Sequence, residues 1–329
     1  TKSLGWSGMG RLRLRSGWRV LILRPTPATG RAYPRYHRDV LEQPSLPDFP
    51  NEGGAASNVA DKAAAASAPR SRKRSSRTRK GAPPPVLVEV RRGKTVESRH
   101  RGHIVQVDAA GKVRHSVGAP STDVMLRSTV KPLGVVALIE SGAADDLKLT
   151  NAELAIMCAS HTGEDKHVRT LQGLFRRASV TQALLQCGTE GAPADELTAA
   201  RLARDGETPG AVRHGCSGFH AASILMSAYA GWSLDDYADP RHASQVAVRE
   251  TVARLLGRDP DALPVAADNC GLLTYEVSLL EMARGYLMLA DPEGPSVQGD
   301  AATSAPALKR VREAMTAEPE RVGGTYDNL

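Results

Sequence analysis

Hydrophobic positions divide the chain at about Val86. Before it, residues 39–69 drift through Pro, Gly, Ala and Ser without a helical or strand period; after it, apolar residues recur in patterns that predict regular elements. Val86-Leu-Val-Glu-Val90 reads as a strand. His103-Ile-Val-Gln-Val107, an Asp108-Ala-Ala-Gly111 turn and Val113–Val117 read as a hairpin. Helical spacing then takes over. Val130, Leu133, Ala137 and Leu138 form an apolar stripe that Gly142 is placed to stop, and Thr150-x-x-Glu153 is a capping box opening a further helix. More helices are predicted near 164–178, 217–230, 240–256, 276–289 and 304–316. Strands first and helices afterwards predict an α+β arrangement, a sheet with helices packed on it, and no internal repeat is visible.

Charge sharpens the boundary. Of the whole-chain net charge of +7, the segment up to Lys80 carries +12, with 17 Lys and Arg against 5 Asp and Glu, leaving −5 for residues 81–329. Arg70-Ser-Arg-Lys-Arg-Ser-Ser-Arg-Thr-Arg-Lys80 is the densest block, and self-repulsion without apolar groups predicts disorder there. Pro83-Pro84-Pro85 closes the segment as a stiff spacer. The expected organisation is a disordered basic tail and linker over 1–85 and a hydrolase domain over 86–329. A localisation signal, a tether for an acidic partner or an upstream reading frame translated by error all suit the tail. Nucleic-acid contact is expected only through this tail, because the folded part is mildly acidic. No apolar run approaches the length that spans a bilayer, and Val20-Leu21-Ile22-Leu23 is too short for a signal-peptide core. Four dispersed cysteines, Cys158, Cys187, Cys216 and Cys270, read as reduced thiols of a cytoplasmic protein.

Four segments could carry chemistry. Ser128-Thr-Val-Lys131 places a hydroxyl and an amine three residues apart on one face of a helix, and Pro132 suits its first turn. A neutral lysine amine can take the serine proton; the bland alternative is a polar cap followed by a surface lysine. Cys158-Ala-Ser160-His161-Thr-Gly-Glu164-Asp165 is either an active-site loop or an ordinary helix start. Cys216-Ser-Gly-Phe-His220 with Asp268-Asn-Cys270-Gly271 could converge on one metal ion, although no Cys-x-x-Cys pair is present and buried free cysteines are the commoner outcome. No Gly-x-Gly-x-x-Gly or Walker-type loop occurs, so no nucleotide or organic cofactor is expected.

Taken in order, Leu126-Arg-Ser-Thr-Val-Lys-Pro132, Met157-Cys-Ala-Ser-His161, Leu185-Gln-Cys-Gly188, Cys216-Ser-Gly218 with His220, and Asp268-x-Cys270 with Thr274 resemble the Rhizobium-type L-asparaginases, the asparaginase II class. The resemblance runs from about residue 86 to 329. It implies a fold similar to serine β-lactamases and penicillin-binding proteins, and hydrolysis of L-asparagine to L-aspartate and ammonia. It implies Ser128 as nucleophile, Lys131 as its base and Ser160 as a second catalytic serine, with Arg127, His161 and Asp268 at the substrate. It further implies zinc held by Cys216 and Cys270, but the third ligand, a lysine, is replaced here by Phe219, so that zinc site is expected to be incomplete unless His220 or Asp268 moves in. A homodimer is expected. The family continues beyond the position of Leu329, so a missing C-terminal part is expected to hold the lysine that partners Ser160, together with further strands. Two other readings stand beside this one: a related β-lactamase-like amidohydrolase such as a glutaminase, and an inactive, truncated protein.

Overall fold

The computed structural model of the chain describes residues 9–13, 19–23 and 83–325, which fall into two compact units. The smaller unit contains an antiparallel hairpin of β1 (Met9–Arg13) and β2 (Arg19–Leu23), with Met9 opposite Leu23. It also takes in most of a second hairpin, β3 (Val86–Arg92) and β4 (Thr95–Arg101). Gly93 starts the two-residue turn between β3 and β4 at φ +60°, a conformation that favours glycine. The expected strand at Val86 is present. Its partner β4 is not foreseen, because Val96 is its only apolar residue and no alternation can be read. Apart from β1, β2 and the last prolines, the expected tail, including the block Arg70–Lys80, lies outside the described residues.

The larger unit is α+β. Its first hairpin pairs β5 (Ile104–Val107) with β6 (Val113–Val117), as the sequence predicts, with Ile104 opposite Val117. The Asp108 carboxylate holds the turn by accepting the Ala110 and Lys112 amides at 3.0 and 2.9 Å. After β7 (Asp123–Met125) the chain makes a 3₁₀ turn over Arg127–Val130 and enters α1 (Lys131–Glu140). Then follow α2 (Ala143–Asp146), α3 (Asn151–Met157), α4 (Asp165–Arg177), α5 (Glu196–Asp205), α6 (Ser217–Ala230) and α7 (Ala243–Leu256). The strands β8 (Val265–Ala267) and β9 (Leu273–Ser278) precede α8 (Leu279–Ala290), α9 (Ala305–Ala317) and α10 (Pro319–Gly323).

Several of these elements correct the sequence expectation. The helix placed at 276–289 begins at Leu279, and the residues before it form β9. The marker of that boundary is a capping box: the Ser278 side chain accepts the Glu281 amide while the Glu281 carboxylate accepts the Ser278 amide. The strands β7 and β8, three residues each, are too short to show a period. Helix α5 opens on Asp195, whose carboxylate accepts the Thr198 amide at 2.7 Å, and stops at Gly206.

Three strands form one antiparallel sheet in the order β7-β9-β8. Met125 pairs with Glu276 and Ala266 with Thr274. The core lies among the helices. Helix α1 is buried from Lys131 to Leu138 and α6 from Ser217 to Ser227, so both are apolar nearly all round, as central helices must be. Their close approach to neighbours depends on small residues. A Cβ at Gly218 would lie 2.1 Å from the Ile156 carbonyl oxygen, so glycine alone lets the start of α6 meet the end of α3. That meeting brings Cys216 beside Ser160. Gly218→Ala should therefore force the two helices apart and destabilise the domain by about 2–3 kcal/mol. Thermal melts should show a fall of roughly 5–10 °C; an unchanged melting temperature would show that the contact can relax at no cost.

Candidate active site

The turn that opens α1 carries the first group of residues. Pro132 sits in its first turn, where a missing amide proton removes no hydrogen bond. Lys131 begins the helix and is 2% exposed. A buried ammonium needs a partner for each of its three protons, and Lys131 has three. Its Nζ donates to the Ala159 carbonyl at 2.9 Å, to Ser160 Oγ at 2.7 Å and to Cys216 Sγ at 3.3 Å. Three distant segments are joined at this one atom. Ser128 lies in the preceding 3₁₀ turn and is exposed, and its hydroxyl makes no hydrogen bond among the described residues. The serine hydroxyl in contact with the Lys131 amine is that of Ser160.

Arg127 stands between the sheet and this turn in a left-handed conformation, φ +49°. Its amide donates to Thr274 Oγ1 at 2.7 Å and its guanidinium pairs with Asp268 at 2.9 Å. Arg127, Ser128, Lys131, Ser160 and Asp268 are therefore linked through one turn and its two neighbours. His161, which the resemblance puts at the substrate, is buried. Its Nδ1 accepts the Gly163 amide at 3.2 Å, so the proton is on Nε2, which donates to Ser217 Oγ at 2.9 Å. Burial holds its pKa well below the usual histidine value, and the neutral ring braces the loop between α3 and α4 against α6.

The two cysteines of the proposed metal pair also meet here. The Cys270 thiol and the His214 side chain hydrogen-bond to Cys216 and, with Lys131, hold the Cys216 thiol well below its ordinary pKa despite burial. The hydrogen bond with Cys216 and burial push Cys270 up. The rest of the donor set turns elsewhere. The Phe219 ring packs against α1, where a Cβ at Gly134 would lie 2.8 Å from it. Tyr237 Oη accepts the Gln186 amide at 2.9 Å and donates to His220 Nδ1 at 2.7 Å. Burial keeps His220 neutral with its pKa lowered to about 4, and among the described residues its Nε2 makes no hydrogen bond. Asp268 is committed to Arg127. Among the described residues no three His, Cys, Asp or Glu side chains form a group that could hold a metal ion. The residues present do not fit zinc.

A cavity of about 910 Å³ lies away from this cluster, lined by Arg254, Arg258, Glu281, Arg284 and Met288 among others. Arg254 and Arg258 there are already paired, with Glu140 and Glu281. None of the clustered residues lines it, and the chemistry is assigned to the cluster. No helix among the described residues is long and apolar enough to cross a membrane.

A buried lysine shared with a serine hydroxyl, one turn after a second serine, is equipment for acyl transfer. The family model of L-asparaginase II matches residues 88–328, and the chain belongs to that family. It is thus an asparaginase-type amidohydrolase, an enzyme for a small-molecule amide. No curated protein sequence matches the chain.

Sequence reasoning missed the contact of Lys131 with Cys216 and the bond from Arg127 to Thr274. Both join residues far apart in the chain, and neither has a local signal. The electrostatics predict a thiolate at Cys216 near neutral pH. Ultraviolet difference spectra at pH 6 should show about one thiolate per chain, persisting as the pH is lowered further, and Cys216→Ser should remove it. Titration only in the ordinary thiol range would contradict the cluster's charge distribution.

Proposed function

We propose that this domain is an L-asparaginase that hydrolyses L-asparagine to L-aspartate and ammonia through a serine acyl-enzyme, on a fold related to the serine β-lactamases. The observation that carries the reading is the buried Lys131 Nζ, 2.7 Å from Ser160 Oγ and one turn from the exposed Ser128, inside the segment matched by the family. Ser128 Oγ attacks the side-chain amide carbon. For this, Lys131 first gives one proton to the Cys216 thiolate that it touches, leaving a neutral amine. The Ser128 proton then passes to that amine, directly or through Ser160, and the same groups return a proton to the departing nitrogen. Ammonia leaves, an aspartyl ester of Ser128 remains, and water activated by the same base releases aspartate. Arg127, paired with Asp268, is the cation available to an amino-acid carboxylate, and its exposed guanidinium favours that role. His161 serves from behind, as a brace for the loop that carries Ser160.

A second assignment has its own observation. The hydroxyl in direct contact with the amine is that of Ser160, which favours Ser160 as the attacking group. Ammonia release from L-asparagine and L-glutamine, with mass spectrometry of quenched reactions, separates the readings. With Ser128 as nucleophile, Ser128→Ala loses roughly 10³-fold or more in turnover, and Lys131→Met nearly as much, because such residues act as a unit. The acyl adduct maps to Ser128. An adduct on Ser160, with turnover persisting in Ser128→Ala, would reverse the two serines. Faster turnover of glutamine would change the substrate.

Zinc takes no part in this scheme. The donor set lacks a third ligand where Phe219 stands, so the chain should bind zinc weakly and Phe219→Lys should strengthen binding. Elemental analysis after dialysis against a chelator reads both. Stoichiometric zinc retained by the unmodified chain would show that the cysteine pair recruits another ligand.

A further inference from the structure

The position of Ser128 has no support from its own side chain, whose hydroxyl makes no hydrogen bond among the described residues. Its direction is therefore set by the backbone, and the critical backbone residue is the one before it. Arg127 is a branchless but bulky residue held at φ +49°, where a Cβ crowds the following peptide. Such a conformation persists only when surrounding groups over-determine it.

The sheet shows which groups do so. Pairing of β7 with β9 runs Asp123 to Ser278, Val124 to Val277 and Met125 to Glu276. It continues one residue further, where the Leu126 amide donates to the Tyr275 carbonyl at 2.9 Å. The next residue in this register is Arg127 opposite Thr274. There the backbone ladder ends, since pairs alternate between bonded and non-bonded and this one has no backbone bond to β9; the Arg127 amide is taken by the Thr274 hydroxyl at 2.7 Å. Thr274 is 3% exposed, so water cannot readily replace that acceptor. The backbone of Thr274 is meanwhile paired with Ala266 of β8, which fixes the hydroxyl from the other side. The chain leaves the sheet at this bond and turns into the segment that bears Ser128.

We propose that Thr274 is a positioning residue for the nucleophile: its buried hydroxyl, by accepting the Arg127 amide, holds the left-handed turn that aims Ser128. The inference rests on the reading of Ser128 as the attacking group. It adds a residue remote in sequence whose chemical requirement is a hydroxyl acceptor and not merely bulk. Thr274→Val keeps the shape and removes the acceptor; Thr274→Ser keeps the acceptor and removes a methyl.

Two measurements test it. With L-asparagine, Thr274→Val should lose about 10–100-fold in kcat, because misplacement of a reacting group acts on the chemical step, with a smaller rise in KM as the Arg127 guanidinium moves with the turn. Thr274→Ser should stay within about threefold of the parent. In crystal structures, Arg127 should keep a positive φ in the parent and the serine variant and relax to a negative φ in the valine variant. Thr274→Ala replaces the valine variant in both measurements if valine prevents folding. Equal kcat in the valine and parent proteins, or equal losses in the valine and serine variants, would overturn the proposal. So would a positive φ retained without the hydroxyl. If the parent releases no ammonia from asparagine, the functional reading fails by itself, and the Arg127 conformation still decides whether Thr274 holds the turn.

Discussion

The burial of one positive charge organises this domain. Lys131 begins the most enclosed helix of the fold, and an ammonium removed from water is tolerated only if each proton finds an acceptor. The acceptors come from two places: the loop after α3 supplies Ala159 and Ser160, and the start of α6 supplies Cys216. Helices α1, α3 and α6 must therefore converge at their ends, and Gly218 permits it where any side chain would strike the Ile156 carbonyl. The fold and the site are constrained together, since a shift of α6 that relieved packing would also leave the lysine without its sulfur partner.

The elements that carry this core were legible because they have strong local signals. The stripe of Val130, Leu133, Ala137 and Leu138, the Thr150–Glu153 capping box and the Asp108–Gly111 turn each show in a few consecutive residues. The sheet was less legible. Strand β9 has suitable residues, but the helical pattern that begins at Leu279 overran it, and β7 and β8 are too short to establish alternation. The chemistry divides in the same way. Ser128 and Lys131 could be picked out by spacing. That Lys131 would face Ser160, that His161 would be buried against Ser217, and that Arg127 would depend on Thr274 are results of tertiary placement, with 147 positions separating the last pair.

Cys216 and Cys270 show why a shared pair of residues does not carry a whole site with it. Two thiols and a nearby histidine would supply three of the four ligands that zinc takes. In this chain, however, one sulfur already accepts from Lys131, His220 is held through Nδ1 by Tyr237, and the position of the third ligand contributes an aromatic ring to the α1–α6 interface. The phenylalanine changes what its neighbours can do: it fills space against Gly134 and leaves the cysteines to compensate the lysine.

That compensation gives the proposed chemistry its arrangement. The two serines are exposed while the amine between their segments is enclosed. A substrate can reach the hydroxyls from solvent, whereas the lysine exchanges protons chiefly through the groups that touch it. Ser160, in contact with the amine at 2.7 Å and open on its other side, is then the natural path between the enclosed base and a reacting group outside. Ser128 would need only the correct approach, which its backbone supplies. On this reading one serine is defined by its contact with the lysine and the other by the turn that presents it. The two requirements are separable because one is met by α1 and the loop after α3, the other by the edge of the β7-β9 pair.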